Sequence, residues 1–401
     1  MRNAWSIYSA GQLVFGRGAI RDLGRLCQQR KWSRILLVTD ERLAAAGLVE
    51  QVAAPLREAK LTFDTFRGGE PEPAIEVAEQ AILAAKAFQP DCILGLGGGS
   101  NLDLAKVVAA VHAHGGGPGS YFGFNNIPGP VTPLVCVPTT SGTGSEVSHA
   151  AVLTDKQNHM KVSTLSQYLR PALAVVDPAL TDGCPKTVTA DSGIDALTHA
   201  IEALTATDFD QLDSPAHEPC AYEGRFPLGE CLAEKAIALV GQHLVAVVRD
   251  GSNQAARDGM ALAATLAGLA FSNCGVALVH ALEYPLGGAL HCSHGAGNGL
   301  LLPHVMRFIL PVRQASLAKV ANLLGAPTTG LSEQAAAELA IQTVDSIRDQ
   351  IGVPQRIRDL GGKREQLPEF AAKSFAIKRL MATTPRATSE AALLEILEAA
   401  Y

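Results

Sequence analysis

Apolar and polar positions along the chain follow two different rhythms, and the change falls near residue 188. Before it, short apolar runs at 34–39, 61–66, 91–96, 131–137 and 173–176 read as buried strands. Segments of helical periodicity at 41–60, 74–88 and 101–114 separate the earlier ones. Strands alternating with helices predict a mostly parallel sheet covered on its faces by helices. After residue 189 the strand signals largely stop. Helical periodicity recurs at 192–205, 229–249, 254–271, 275–286, 332–351 and 389–400, with Ser332 and Ser389 where N-caps are expected. The pattern predicts an α/β domain over 1–188 and an all-α domain over 189–401. A chain of 401 residues has the length for two domains. The stretch 207–229, broken by prolines, reads as a loop-like insertion.

Two loops in the first half carry candidate chemistry. The strand at 91–96 runs into Gly97, Gly98, Gly99 and Ser100 at the start of a helix. Glycines admit close backbone approach, and a helix N-terminus offers free N–H groups to a pyrophosphate. The spacing departs from G-x-G-x-x-G, because Ser100 takes the third glycine's place. A second loop, Thr139, Thr140, Ser141, Gly142, Thr143, Gly144 and Ser145, also follows a strand. Two such loops on one parallel sheet meet along its C-terminal edge, where ligands bind in these folds. Asp40 ends its strand on that edge. It can accept from ribose hydroxyls and repel a 2′-phosphate, favouring NAD over NADP, or cap the helix that follows.

In the second half, residues 279–299 hold His280, His291 and His294 in an apolar setting. A straight helix from His280 to His294 would part them by about 21 Å. Pro285, Gly287 and Gly288 lie between, so the helix is expected to end near Leu286 and the chain to return. Asp195 and His199, four residues apart, share one face of another helix. Such a pair alone is commonly a plain surface contact. All four in apolar helices need a shared purpose, and one carboxylate with three imidazoles suits Fe(II) or Zn(II). Tyr284, one turn beyond His280, and His291, on the loop, are candidates for proton transfer. Imidazole is the better base near neutral pH, which favours His291.

Composition narrows the classes. A net charge of −6 without a basic block argues against nucleic acid as partner. Eight cysteines without CxxC spacing fit a reducing cytoplasm, and the first residues lack the apolar core of a signal peptide. The apolar stretch 260–282 is interrupted by Ser272, Asn273, Cys274 and His280, so a core helix is expected there and no membrane span.

Taken together, VTDERL at 38–43, GLGGGSNLDLAK at 95–106, VPTTSGTGSEVS at 137–148, DSGIDALTHAIEA at 191–203, HALEYPLGG from 280 and HCSHG at 291–295 resemble the iron-containing (group III) alcohol dehydrogenase family. The resemblance spans nearly the whole chain. It implies a Rossmann-like dinucleotide-binding domain, a helical domain and a metal in the cleft between them. It implies Asp195, His199, His280 and His294 as ligands of Fe(II), alternatively Zn(II). It implies Asp40, Gly98, Gly99, Ser100, Asp103, Thr139, Thr140, Ser145, Lys161 and Leu180 as contacts of NAD. A small alcohol or aldehyde substrate and a homodimer are the expected partners. Many members carry a second histidine where this chain has Tyr284. The segment AYEGRFPLGE at 221–230 is similar to the hydroxyacid–oxoacid transhydrogenase branch, which stays open as an alternative activity. A dehydroquinate synthase-like lyase would need Lys or Arg for an acidic substrate, and 279–299 has neither. A non-catalytic NAD-binding protein would tolerate loss of a ligand, and none is lost.

Overall fold

The computed structural model describes residues 2–158, 160–212 and 220–401. They fall into two compact units, Tyr8–Gly183 and Cys184–Tyr401, the second joined by the first residues of the chain through Ile7.

In the first unit, six strands form one parallel sheet: β1 Leu13–Phe15, β2 Arg34–Val38, β3 Thr62–Phe66, β4 Cys92–Gly97, β6 Leu134–Pro138 and β9 Leu173–Val176, in the order β1-β9-β6-β4-β2-β3. A smaller sheet joins β5 Gly123–Phe124, β8 Met160–Leu165 and β7 Ala150–Asp155, the last two antiparallel. The helices are α1 Leu23–Gln29, α2 Glu41–Ala45, α3 Leu48–Glu58, α4 Ile75–Phe88 and α5 Gly99–His114. Side chains alternate across a strand, so β2 feeds two cores. Ile35 and Leu37 pack on one face with Val52 and Leu56 of α3; Leu36 and Val38 pack on the other with α4 and α5. Each such side chain contributes roughly 1.5–3 kcal/mol on burial. A strand buried on both faces reads as a continuous apolar run, which is why β2, β4, β6 and β9 stood out in the sequence.

Other elements did not. The segment 41–60 forms two helices, because Gly47 turns left-handed (φ 78°) between α2 and α3. In the β7–β8 hairpin the apolar part of β7 stops at Leu153, and β8 is interleaved with Lys161, Ser163 and Thr164.

The second unit is helical: α6 Lys186–Thr205, α7 Pro227–Arg249, α8 Gln254–Cys274, α9 Leu278–Leu290, α10 His294–Leu323, α11 Glu333–Ile351, α12 Leu367–Phe375, α13 Lys378–Thr383 and α14 Glu390–Ala399. Ser332 and Ser389 cap α11 and α14 as expected. α10 has no counterpart among the helices expected from periodicity, which Pro303, Pro311 and the non-helical Arg313 interrupt. The helix expected to end near Leu286 continues to Leu290, with Pro285, Gly287 and Gly288 inside it; only 291–293 make the return. Part of the 207–229 insertion, 213–219, lies outside the described residues.

α7 is long and apolar enough to cross a membrane by length and composition. Here it packs against α6 and α8, burying Ala233, Ile237, Val240 and Leu244. The stretch 260–282 is divided between α8 and α9, which meet at a 104° bend. The chain's first residues complete this unit: Arg2 Nη2 lies 2.5 Å from Glu223 Oε2, and Trp5 stacks on Phe226 at 4.5 Å.

Candidate metal centre and dinucleotide edge

The strand order reverses at β2, whose neighbours β3 and β4 lie on opposite sides of it, and the crevice at such a reversal is where open sheets bind ligands. Asp40 follows β2, and Gly98, Gly99 and Ser100 follow β4. Asp40 caps α2: its Oδ1 accepts from Leu43 N at 3.0 Å, and its Oδ2 accepts from Asn101 Nδ2 at 2.7 Å. The capping role is therefore real, and Asn101, which the sequence reading passed over, orients the carboxylate. Gly97 has φ 145°, and a Cβ there would lie 2.3 Å from Asn101 Nδ2, so only glycine permits the turn. Gly98 is the N-cap of α5, which leaves the first N–H groups of that helix facing outward.

The loop after β6 joins this edge. Thr139 N donates to Gly97 O at 3.0 Å, and Thr140 lies beside Gly98. Ser100 Oγ accepts from Glu72 N at 3.2 Å. Ser145 Oγ donates to Asp103 Oδ1 at 2.6 Å and accepts from Lys106 Nζ at 2.7 Å. Asp103 Oδ2 also accepts from Val152 N at 2.9 Å, tying β7 to α5. Burial raises the Asp103 carboxyl against the pull of Lys106, and burial lowers the Lys106 ammonium. Lys161, on β8, pairs with Glu72 at 3.2 Å. Leu180 lies beyond β9 and packs into the core beside Leu23. Of the expected contacts, Asp40, Gly98, Gly99, Ser100, Thr139 and Thr140 share one edge; Asp103 and Ser145 brace it from within.

The metal set forms inside the helical unit. Asp195, His280 and His294 offer ligand atoms all within 4.8 Å of one another. His199 Nε2 lies 3.0 Å from His280 Nε2, its ring stacked on Phe271 at 4.1 Å. Two buried glutamates set the chemistry. Glu202 Oε2 lies 2.5 Å from His280 Nδ1, and Glu283 Oε2 lies 2.6 Å from His294 Nδ1. A carboxylate can only accept, so each Nδ1 carries the proton and each Nε2 keeps a lone pair for the centre. Glu202 also accepts from Val279 N at 2.6 Å, supplying α9 with the N-terminal partner its own cap lacks. Both glutamates stand three residues after a candidate ligand histidine, a spacing visible in the sequence.

These residues fit a divalent ion. Asp195, Glu202 and Glu283 are all buried. Three carboxylates around three imidazoles carry negative charge that neutral rings cannot balance and a cation would. The donor set is nitrogen and oxygen, as Fe(II) or Zn(II) prefers. Close packing holds the set: a Cβ on Gly295 would come within 2.0 Å of Asp191 O, so glycine lets the start of α10 lie on α6.

The two proton-relay candidates differ. The Tyr284 ring lies 6.3 Å from that of His294, centre to centre. Arg379 stands 5.9 Å over the Tyr284 ring. Burial, then the neighbouring Tyr284, push the Tyr222 hydroxyl above the tyrosine range against its bond to Arg379. His291 is exposed and ends α9 as a left-handed cap (φ 52°).

Comparison with known proteins shows the family of the chain. Residues 10–178 match the family model for iron-containing alcohol dehydrogenase, and residues 189–401 match its C-terminal counterpart. The 1,3-propanediol dehydrogenase of Citrobacter freundii is 36% identical over 390 residues, covering 96% of each chain. The NAD-dependent methanol dehydrogenase of Bacillus methanolicus is 35% identical over 362 residues, covering 90% of this chain and 91% of its own. A crystal structure of 1,3-propanediol oxidoreductase superposes with a TM-score of 0.93 at 34% identity, covering all of both chains. The two halves of the chain, with their glycine-rich edge and their Asp-His-His-His cluster, belong to the iron-containing alcohol dehydrogenase family.

Proposed function

We propose that this chain is an NAD-linked, metal-dependent alcohol dehydrogenase acting reversibly on small primary alcohols. The convergence of Asp195, His199, His280 and His294 carries the reading. A bound divalent ion would supply a Lewis acid for the substrate oxygen, and NAD the hydride acceptor. The chain's own residues hold, orient and exclude water. Glu202 and Glu283 keep both Nε2 atoms deprotonated. The N-terminus of α5, with Gly98, Gly99 and Ser100, receives the pyrophosphate. Asp40, aimed by Asn101, meets the adenosine ribose, with Thr139 and Thr140 alongside. Asp103, Ser145, Lys161 and Leu180 shape the surroundings of the nucleotide. Oxidation of the alcohol also releases a proton. Tyr284, beside His294, is favoured as its relay over the exposed His291, which reverses the preference drawn from basicity alone.

One observation favours a second substrate class. Arg379 Nε is buried without a hydrogen-bond partner among the described residues, next to Tyr284. A cation so placed would suit a hydroxy acid, as in the transhydrogenase branch. A homodimer is proposed on the edge position of β1, where Phe15 is exposed.

The test is a spectrophotometric screen of the full chain loaded anaerobically with Fe(II) or Zn(II). It follows reduced nicotinamide with neutral alcohols, hydroxy acids, NAD and NADP. Absence of metal-dependent turnover throughout would sink the proposal. Higher efficiency with NADP would remove Asp40 from its role. Selective loss of hydroxy-acid turnover in Arg379→Met would establish the second reading.

A further inference from the structure

Asn298 stands one helical turn after His294 on α10 and is fully buried. Its carboxamide nitrogen lies 2.8 Å from Asp195 Oδ1, 3.1 Å from His294 Nε2 and 3.2 Å from His280 Nε2. An amide nitrogen carries two hydrogens, so three acceptors exceed what it can serve. The carboxylate is the nearest and the only charged one of the three, and it takes one hydrogen. The two imidazoles share the other. The Oδ1 atom of the same side chain is buried with no hydrogen-bond partner among the described residues. An orphaned buried acceptor is costly, so the outward oxygen is sustained by what the nitrogen gains. Turning the amide over would set its oxygen against a carboxylate and two lone pairs.

We propose that Asn298 is a positioning residue of the metal centre: it holds Asp195 by Oδ1 and leaves Oδ2 to an ion. Its second hydrogen spans the imidazole lone pairs until a cation takes them. The donor comes from the helix that begins with a ligand, so Asp195 on α6 and His294 on α10 are fixed in one register. The inference rests on the reading of this cluster as a metal site.

The test uses the full chain stripped of metal and titrated with Co(II). Visible d–d bands report the ligand field, and competition with a chelator reports affinity. Asn298→Leu keeps nearly the volume and removes the donor; Asn298→Ala leaves space instead, should leucine not fold. Circular dichroism melting of the metal-free proteins separates packing from positioning. Expected are at least tenfold weaker Co(II) binding and altered bands in a folded variant. Wild-type affinity and spectrum in a folded variant would overturn the proposal. Tighter binding would overturn it too, since the amide would then compete with the ion. Failure of the wild-type chain itself to take up Co(II) would instead remove the metal reading.

Discussion

A single carboxylate, Glu202, both aims His280 and starts α9. Glu202→Gln keeps the shape but lets the amide present a donor to Nδ1. Metal affinity should fall about 10–100-fold, measured by chelator competition; unchanged affinity would leave Glu202 as a helix cap alone. At the same scale, Tyr284→Phe should lower turnover more than His291→Ala, with metal content intact in both by elemental analysis. The reverse order would return the relay to His291. The four candidate ligands stood out because Asp and His are costly inside apolar helices. Asn298, Asn101 and the two glutamates did not: each acts on a residue of another element, and the pairing exists only once the elements pack.

Helix contacts make their own predictions. Gly295→Ala places a methyl where Asp191 O stands and must push α10 from α6. Overpacking of this kind costs about 1–3 kcal/mol, and a denaturant midpoint should shift accordingly, with weaker metal uptake. A wild-type midpoint would show that the helices can part freely. Between α10 and α11, burial, then Arg307 and Arg348, lower the His304 imidazole to about 4, against Asp345. The unfolded chain binds that proton near pH ~6.5. Stability from this group is complete above that pH and drains as pH falls toward about 4, by up to about 1.4 kcal/mol per unit. His304→Gln should flatten that slope in urea titrations at several pH values; an identical slope would exclude His304 as its source. Four of the parallel strands, β2, β4, β6 and β9, were legible as continuous apolar runs, whereas three-residue β1 was not. α10 was hidden by prolines that bend a helix without ending it, and α9 ran through two glycines because its neighbours hold them.

At the level of the whole molecule, nucleotide-binding candidates and candidate metal ligands lie in different compact units. Hydrogen–deuterium exchange on the full chain should therefore show metal slowing exchange in α6, α9 and the first turn of α10. The turn from β4 into α5 should respond to NAD instead. Protection of that turn by metal alone would contradict the assignment. Residue types and glycine placement made this division readable, whereas the return of the first residues to the helical unit left no mark in the sequence. That return has a consequence for biosynthesis. Arg2 and Trp5 wait for Glu223 and Phe226, which a ribosome adding roughly 5–20 residues per second delivers about 10–45 seconds later. The α/β unit has emerged complete by then, while Arg2 and Trp5 are still without their partners. A bulky fusion placed ahead of Arg2 would act on this late docking step and spare the parallel sheet.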